Sequence, residues 1–141
     1  MDFMEIVTLI IPFFKYIVSF LIILTVLVFV HEMGHYLIAR KTGVKVEVFS
    51  IGFGSELFGW TDKTGTRWKV CAVPLGGYVK MFGDADPSSS RKSGSTEMSP
   101  DERKVSFHHK RLGERAAIVL AGPVANFLFA VALLAGLYSI V

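Results

Sequence analysis

The sequence contains a single cysteine, Cys71, so an internal disulfide is excluded. Charge is also scarce, because Asp, Glu, Lys and Arg make up 19% of the 141 residues and hydrophobic residues make up 52%. The segment from Tyr16 to Val30 has no charged side chain, and from Ala116 to Val141 only Asn126 and Ser139 are plainly polar. Such runs are typical of membrane spans and unusual in a soluble domain.

The first uncharged run is too short to cross a bilayer by itself. A hydrocarbon core of about 30 Å requires about 20 helical residues. The first transmembrane helix is therefore predicted to continue past Val30 and to cover residues 16–39, and the second to cover residues 116–141. Before them, Pro12 and Lys15 interrupt an apolar stretch, which predicts that residues 1–15 form a short segment at the membrane interface.

Basic residues are almost absent before the first predicted span. Lys15 is the only one there, and the other 14 of the 15 Lys and Arg residues lie between Arg40 and Arg115. Because basic loops stay on the cytoplasmic side, the loop 40–115 is predicted to be cytoplasmic and both termini to lie on the opposite side. This topology explains the net charge of +3, and no nucleic-acid partner is expected.

The loop is predicted to begin with a β-rich re-entrant unit over residues 40–83. Val44, Val46 and Val48 alternate with charged residues, which predicts an extended piece from Gly43 to Glu56. A second extended pair, 57–61 and 66–73, is predicted around a turn at 62–65, with an end at 74–77 and a resumption at 78–82.

The rest of the loop is predicted to be a flexible linker and a helix. Residues 84–99 are rich in Ser, Asp and Gly and predict the linker. Ser99, Pro100 and Glu102 have the pattern of a capped helix start, so residues 100–115 are predicted to form an amphipathic helix. The predicted fold class is a membrane α-helical protein with two transmembrane helices and a β-hairpin-rich, membrane-associated cytoplasmic loop.

A His-Glu-x-x-His motif, formed by His31, Glu32 and His35, lies near the end of the first predicted span. Two histidines four residues apart share one face of a helix and can bind one metal ion. Zinc suits imidazole ligands and lowers the pKa of a bound water to about 7, and Glu32 is placed to take the proton of that water. A chance match is the alternative, but an acidic residue at the centre of a membrane helix costs roughly 2.5–3.5 kcal/mol.

At this point the chain resembles a family, the site-2 proteases, and in particular the bacterial branch that cleaves membrane-bound anti-sigma factors. The resemblance rests on motifs at Val30–Tyr36, Phe49–Gly54, Pro74–Met81, Arg115–Ala117 and Ala121–Phe127. It implies that His31 and His35 bind zinc, that Glu32 is the general base, and that the loop forms a β-rich element beside the active site. It also implies a bacterial inner membrane, with periplasmic termini and a transmembrane protein as substrate within the lipid bilayer.

Two groups of residues are candidates for binding that substrate. Peptide hydrolysis requires an extended backbone, so an open strand edge at Gly52, Phe53 and Gly54 or at Tyr78–Met81 could bind a substrate by strand addition. The glycines could equally serve only to make tight turns. Asn126 could hold the substrate carbonyl or developing oxyanion, or it could form an interhelical hydrogen bond.

A catalytic zinc usually has three protein ligands, and this sequence offers only two obvious ones. The resemblance implies that the third is an aspartate on a later membrane helix, in an Asp-Gly context that is absent here. The chain is therefore predicted to be the N-terminal portion of a longer protein whose remainder supplies that ligand. The alternatives are a catalytically incomplete membrane module that binds partner transmembrane helices, and a soluble zinc protease.

Overall fold

The computed structural model describes residues 2–84 and 98–140, so most of the predicted linker 84–99 lies outside the described residues. In the described part, one long helix precedes an antiparallel hairpin, and a short helical connection leads from the hairpin region to a second long helix. The elements are α1 (Phe3–Lys41), β1 (Val46–Thr61), β2 (Arg67–Met81), α2 (Pro100–Val105), a 3₁₀ turn (Phe107–His109) and α3 (Leu112–Ile140). Both α1 and α3 are long and apolar enough to cross a membrane.

Helix α1 is continuous over 39 residues. Asp2 caps it, because its side chain accepts a hydrogen bond from the backbone N–H of Glu5 at 2.8 Å. The helix begins at Phe3 rather than at residue 16 and passes through Pro12 without a break. Transmembrane helices tolerate proline, which has no backbone N–H, when neighbouring groups form hydrogen bonds with the carbonyl that proline leaves without a partner. An interfacial position for residues 1–15 stays a prediction.

The hairpin is more continuous than the sequence predicts. Strand β1 joins the pieces that were predicted separately, and β2 runs through residues 74–77, where an end was predicted. That predicted end is wrong for a structural reason. Pro74, Leu75 and Gly76 have no partner in the strand register, so the N–H that Pro74 lacks is not needed for pairing.

Both strands bend, and their halves form four rows of one sheet. Residues 46–51 pair with 77–81 on one side and with 67–70 on the other, and residues 56–61 pair with 67–71. Among residues 2–84 and 98–140, row 77–81 has a strand partner on one side and thus lies at an edge of the sheet. An edge presents backbone N–H and C=O groups that have no strand partner.

The predicted turn between the strands is confirmed. Gly65 has a φ of 86°, as such a turn commonly requires. The carboxylate of Asp62 accepts hydrogen bonds from the Trp68 indole at 2.9 Å and from the backbone N–H of Thr64 at 2.8 Å. The Trp68 indole, followed by Thr64, holds the pKa of Asp62 well below its usual range, so this carboxylate keeps its charge.

An aromatic cluster holds the hairpin against α1. Phe49 and Trp68 stack with ring centroids 4.5 Å apart. Tyr36 of α1 lies edge-on to both, at 5.9 Å from Phe49 and 5.0 Å from Trp68. Next to the cluster, a small buried core joins α1, the hairpin and α3; it consists of Ala39, Val44, Val46, Met81 and Ile118. The protein core therefore lies beside the cytoplasmic end predicted for the first span.

The helix predicted over 100–115 is shorter in the structure. Its start is confirmed, because Ser99 and Glu102 form a capping box, but it ends at Val105. The backbone then joins the hairpin: Lys45 N–H donates to the Val105 carbonyl at 3.0 Å, and Phe107 N–H donates to the Phe82 carbonyl at 2.9 Å. These bonds require an extended connection at this point, and α3 starts at Leu112 rather than at residue 116.

Candidate metal centre

His31, Glu32 and His35 are partly buried where α1 packs against both α3 and the hairpin. The helix places the two histidines on one face, one turn apart. Their ring centroids are 4.8 Å apart, and the ring planes are nearly perpendicular at 83°. The structure therefore brings the motif together on the face of α1 that contacts α3.

Helix α3 runs antiparallel to α1 at this point and presents Ile118, Gly122 and Asn126 at four-residue intervals. The Ile118 carbonyl oxygen lies 2.7 Å from Nδ1 of His35. At the other end, the Asn126 side-chain amide lies 3.4 Å from Nδ1 of His31. The two residues of α3 that contact the histidines thus lie eight positions apart, and Gly122 lies midway between them.

The contact of His35 decides which of its nitrogens can bind a metal. A neutral imidazole has one N–H donor and one lone pair. Because the Ile118 carbonyl can only accept, Nδ1 of His35 carries the proton and Nε2 keeps the lone pair. Metal-binding histidines commonly have this support from a backbone carbonyl.

The contact of His31 can support a metal in the same way. Oδ1 of Asn126 is buried and has no hydrogen-bond partner among the described residues. A half-turn of the amide exchanges Nδ2 with Oδ1, which places an acceptor at Nδ1 of His31 and leaves Nε2 free. The two imidazoles therefore fit a zinc ion. Within residues 2–84 and 98–140, no group of three His, Cys, Asp or Glu side chains is arranged to hold a metal.

A cavity of about 250 Å³ lies beside Glu32 and His35. It is completed by Gly77, Tyr78, Val79 and Met81 of β2, by Asp84 and Phe107, and by Ile118 and Val119 of α3. The edge row 77–81 therefore borders the cavity that contains the candidate base. A Cβ at residue 77 would be 3.2 Å from Cγ of Glu32, so glycine allows the strand to pass close to α1.

The structure brings Tyr78 and Asn126 to the site but leaves Gly52, Phe53 and Gly54 outside the lining of this cavity. Gly52 and Gly54 have φ values of 84° and 82°, which supports the tight-bend interpretation of these glycines. The Phe53 ring stacks on Tyr78 with centroids 6.3 Å apart. A role for these residues in substrate binding stays a prediction.

Two residues of the site were not identified from the sequence. Ile118 acts through its backbone carbonyl, and no residue type is specific to that role. Gly122 lies in the Ala121–Phe127 motif, four residues before Asn126. Its place in that motif was the signal that could have identified Gly122.

Comparison with known proteins identifies similar sequences. The sequence profile of peptidase family M50 matches residues 19–141. A protein named "Putative zinc metalloprotease" from Rhizobium meliloti (strain 1021) is 58% identical over 123 residues, which cover 86% of this chain and 33% of that protein. A protein of the same name from Agrobacterium fabrum is 56% identical over 126 residues, covering 89% of this chain and 33% of the relative.

A further relative has a more specific name. The "Regulator of sigma-E protease RseP" of Escherichia coli (strain K12) is 49% identical over 114 residues, which cover 80% of this chain and 23% of that protein. The chain thus spans about a quarter to a third of the length of these relatives.

Proposed function

The chain belongs to peptidase family M50, and we propose that it forms the zinc-binding part of a protease that cleaves membrane proteins within or near their transmembrane segments. The observation that carries this proposal is the arrangement of the His-Glu-x-x-His motif. Both imidazoles are supported at Nδ1 by α3, and Glu32 borders a cavity whose other wall is a strand edge.

His31 and His35 would hold the zinc ion through Nε2. Zinc, when bound, supplies a Lewis acid that activates water for attack on a carbonyl. The proposed third protein ligand is an aspartate on a later membrane helix, as the resemblance to the site-2 proteases implies; the chain spans about a quarter to a third of the length of the relatives named above.

Glu32 is the proposed general base. It follows the ligand His31 directly and lines the cavity together with His35. Its carboxylate would accept a proton from the attacking water and then donate it to the leaving amine nitrogen as the peptide C–N bond breaks. The same proton is taken and returned, so Glu32 is regenerated.

Row 77–81 is the proposed binding surface for the substrate backbone. A transmembrane helix has its backbone groups bonded internally, so unwinding it requires replacement partners. Residues 77–79 line the cavity beside Glu32 and would provide backbone N–H and C=O groups there, to which a substrate could add as a strand. Asn126 contacts His31, and we therefore assign it to holding that ligand rather than to the substrate.

The proposed location is a bacterial inner membrane, with the loop 40–115 in the cytoplasm and both termini in the periplasm. Large apolar side chains cover the outside of both long helices. Phe14 of α1 is 64% exposed and Phe127 of α3 is 68% exposed. Soluble monomers rarely expose continuous apolar surfaces of this kind, whereas lipid would cover them. The basic residues of the loop favour the cytoplasmic side.

A second candidate function is a membrane module that binds partner transmembrane helices without cleaving them. An apolar cavity of about 330 Å³ between α1 and α3 favours it, because its lining could take up apolar side chains of another helix. Its lining includes Gly34, Ala121 and Ala125 and contains none of the predicted catalytic or metal-binding residues. Cleavage of a substrate distinguishes the two functions.

The proposal is tested with the protein at its full natural length, reconstituted in vesicles with a reporter transmembrane substrate. Glu32→Gln should lower the cleavage rate by about 100- to 10,000-fold, the usual contribution of a general base, and zinc content should not change. Glu114→Gln is the matched control. Glu114 lies in the first turn of α3, where its Oε2 accepts a hydrogen bond from the backbone N–H of Arg111 at 3.0 Å. Cleavage by Glu32→Gln at the wild-type rate would exclude Glu32 as the base.

A further inference from the structure

Gly122 of α3 is buried and faces the two imidazoles of the motif. A Cβ at this residue would be 2.8 Å from Nε2 of His31 and 2.6 Å from Cε1 of His35, and still closer to Nε2 of His35. Non-bonded carbon atoms prefer separations of about 3.5–4.0 Å. Any side chain at residue 122 would therefore have to displace both rings or the helix.

The other glycines in α3 have no such neighbours. A Cβ at Gly113 or at Gly136 would meet no atom within 4 Å. Glycine is less favourable than alanine inside a helix, so a buried glycine in the middle of α3 needs a local reason. Contact with both imidazoles provides that reason at Gly122 and at neither of the others.

We infer that Gly122 is a positioning residue of the metal centre, whose missing side chain gives His31 and His35 the space to direct both Nε2 atoms toward one ion. The inference rests on the proposed function for the identity of that ion. Zinc–nitrogen bonds are about 2.0–2.1 Å long, so both Nε2 atoms must approach one point. A methyl group at residue 122 would occupy space directly next to both atoms.

Helix α3 thus meets the two imidazoles of the proposed centre at three residues. Ile118 and Asn126 contact the two Nδ1 atoms, and Gly122 leaves room for the two Nε2 atoms. A displaced ring would lose its contact at Nδ1, and its Nε2 would no longer point toward the ion. The expected effect of a side chain at residue 122 is therefore on metal binding, beyond any effect on helix packing.

The first test compares wild type, Gly122→Ala and Gly136→Ala in the protein at its full natural length, purified in detergent. Zinc affinity is measured by competition with a chelator, and the absorption bands of bound Co²⁺ report the ligand geometry. Gly122→Ala should bind zinc on the order of 100-fold more weakly, the upper range for loss of a group that orients a ligand, and should change the Co²⁺ bands. Gly136→Ala should match wild type. Wild-type affinity and bands in Gly122→Ala would overturn the inference.

A second, metal-free test applies even if Gly122→Ala unfolds easily. The change is made in wild type and in a protein carrying His31→Ala and His35→Ala, and the thermal unfolding midpoint of each apo protein is measured. Without the imidazoles, the three atoms nearest to the new methyl group are absent, so Gly122→Ala should lower the midpoint far less in that background. Gly136→Ala should act equally in both.

These outcomes separate the inference from the proposed function. An equal shift of the midpoint for Gly122→Ala in both backgrounds would overturn the role of Gly122. Absence of zinc from the wild-type protein would instead contradict the proposed function, and the apo measurements would still decide whether Gly122 makes room for the imidazoles.

Discussion

The side chain of Asn126 faces Nδ1 of His31, and this nitrogen must carry a proton if Nε2 is to bind zinc. Its side chain is the plainly polar group in the body of α3. An interhelical hydrogen bond was one of the two roles that the sequence left open. The structure shows a contact with α1, and its partner is a candidate ligand.

Replacement of Asn126 distinguishes a role in orienting the ligand His31 from a purely structural contact between α1 and α3. Asn126→Leu removes the acceptor and should lower zinc affinity by about 10- to 100-fold. Asn126→Asp keeps an oxygen that can accept from Nδ1–H and should retain most of the affinity. Chelator competition on the full-length protein measures both, with Ser139→Ala on the exposed end of α3 as control. Equal zinc affinity for the Leu and Asp variants would contradict a role in orienting His31.

The sequence predicts the residues whose side-chain chemistry is distinctive. His31, Glu32 and His35 form a recognisable pattern, and Asn126 is conspicuous in an apolar helix. A backbone carbonyl such as that of Ile118 has no residue type of its own. Which carbonyl faces His35 depends on how α3 packs against α1, and that packing is decided by side chains far apart in sequence.

Among the elements, the edge row of the hairpin carries the proposed binding of substrate. Within the part of the chain that the structure describes, this row pairs with residues 46–51, and Gly77, Tyr78, Val79 and Met81 of the row line the cavity. Backbone N–H groups of an added strand point alternately toward and away from this edge. Substrate binding should therefore depend on alternate peptide groups of the substrate.

That dependence is tested with substrates that carry a single N-methyl group at successive backbone positions. Methylation removes one N–H donor without altering the side chain. Cleavage by the full-length protein should fall strongly at every second position near the cut and little at the positions between. Methylated substrates with the group far from the cut are the control. Uniform loss or no loss along the segment would contradict binding by strand addition.

The sequence predicted the presence of the elements better than their limits. Alternating valines predicted β1, and Ser99 with Glu102 predicted the start of α2. Pro12 suggested an interruption that the structure does not have, because α1 continues through it. At Pro74 the extended backbone of β2 also continues, although its pairing with β1 stops over residues 74–76. The end of α2 at Val105 follows from hydrogen bonds to the hairpin, which no local pattern shows.

At the scale of the whole molecule, apolar composition predicted two long helices, and the structure contains them within the described residues. Much of their surface is exposed and apolar, and the buried core is small and lies where the helices meet the hairpin. Lipid around the helices would cover the apolar side chains that protein contacts leave exposed. The candidate metal ligands His31 and His35 lie where α1 packs against α3, so a metal centre at this point would depend on the packing of the two helices.

The zinc content of the full-length protein purified from membranes, measured by elemental mass spectrometry, tests the proposed zinc site most directly. About one zinc ion per chain is expected, as for a single catalytic site, and almost none after His31→Ala together with His35→Ala. A control with His108→Ala and His109→Ala, in the exposed 3₁₀ turn, should keep its zinc. A wild-type protein without zinc, or a double variant at residues 31 and 35 that keeps it, would exclude the proposed zinc site.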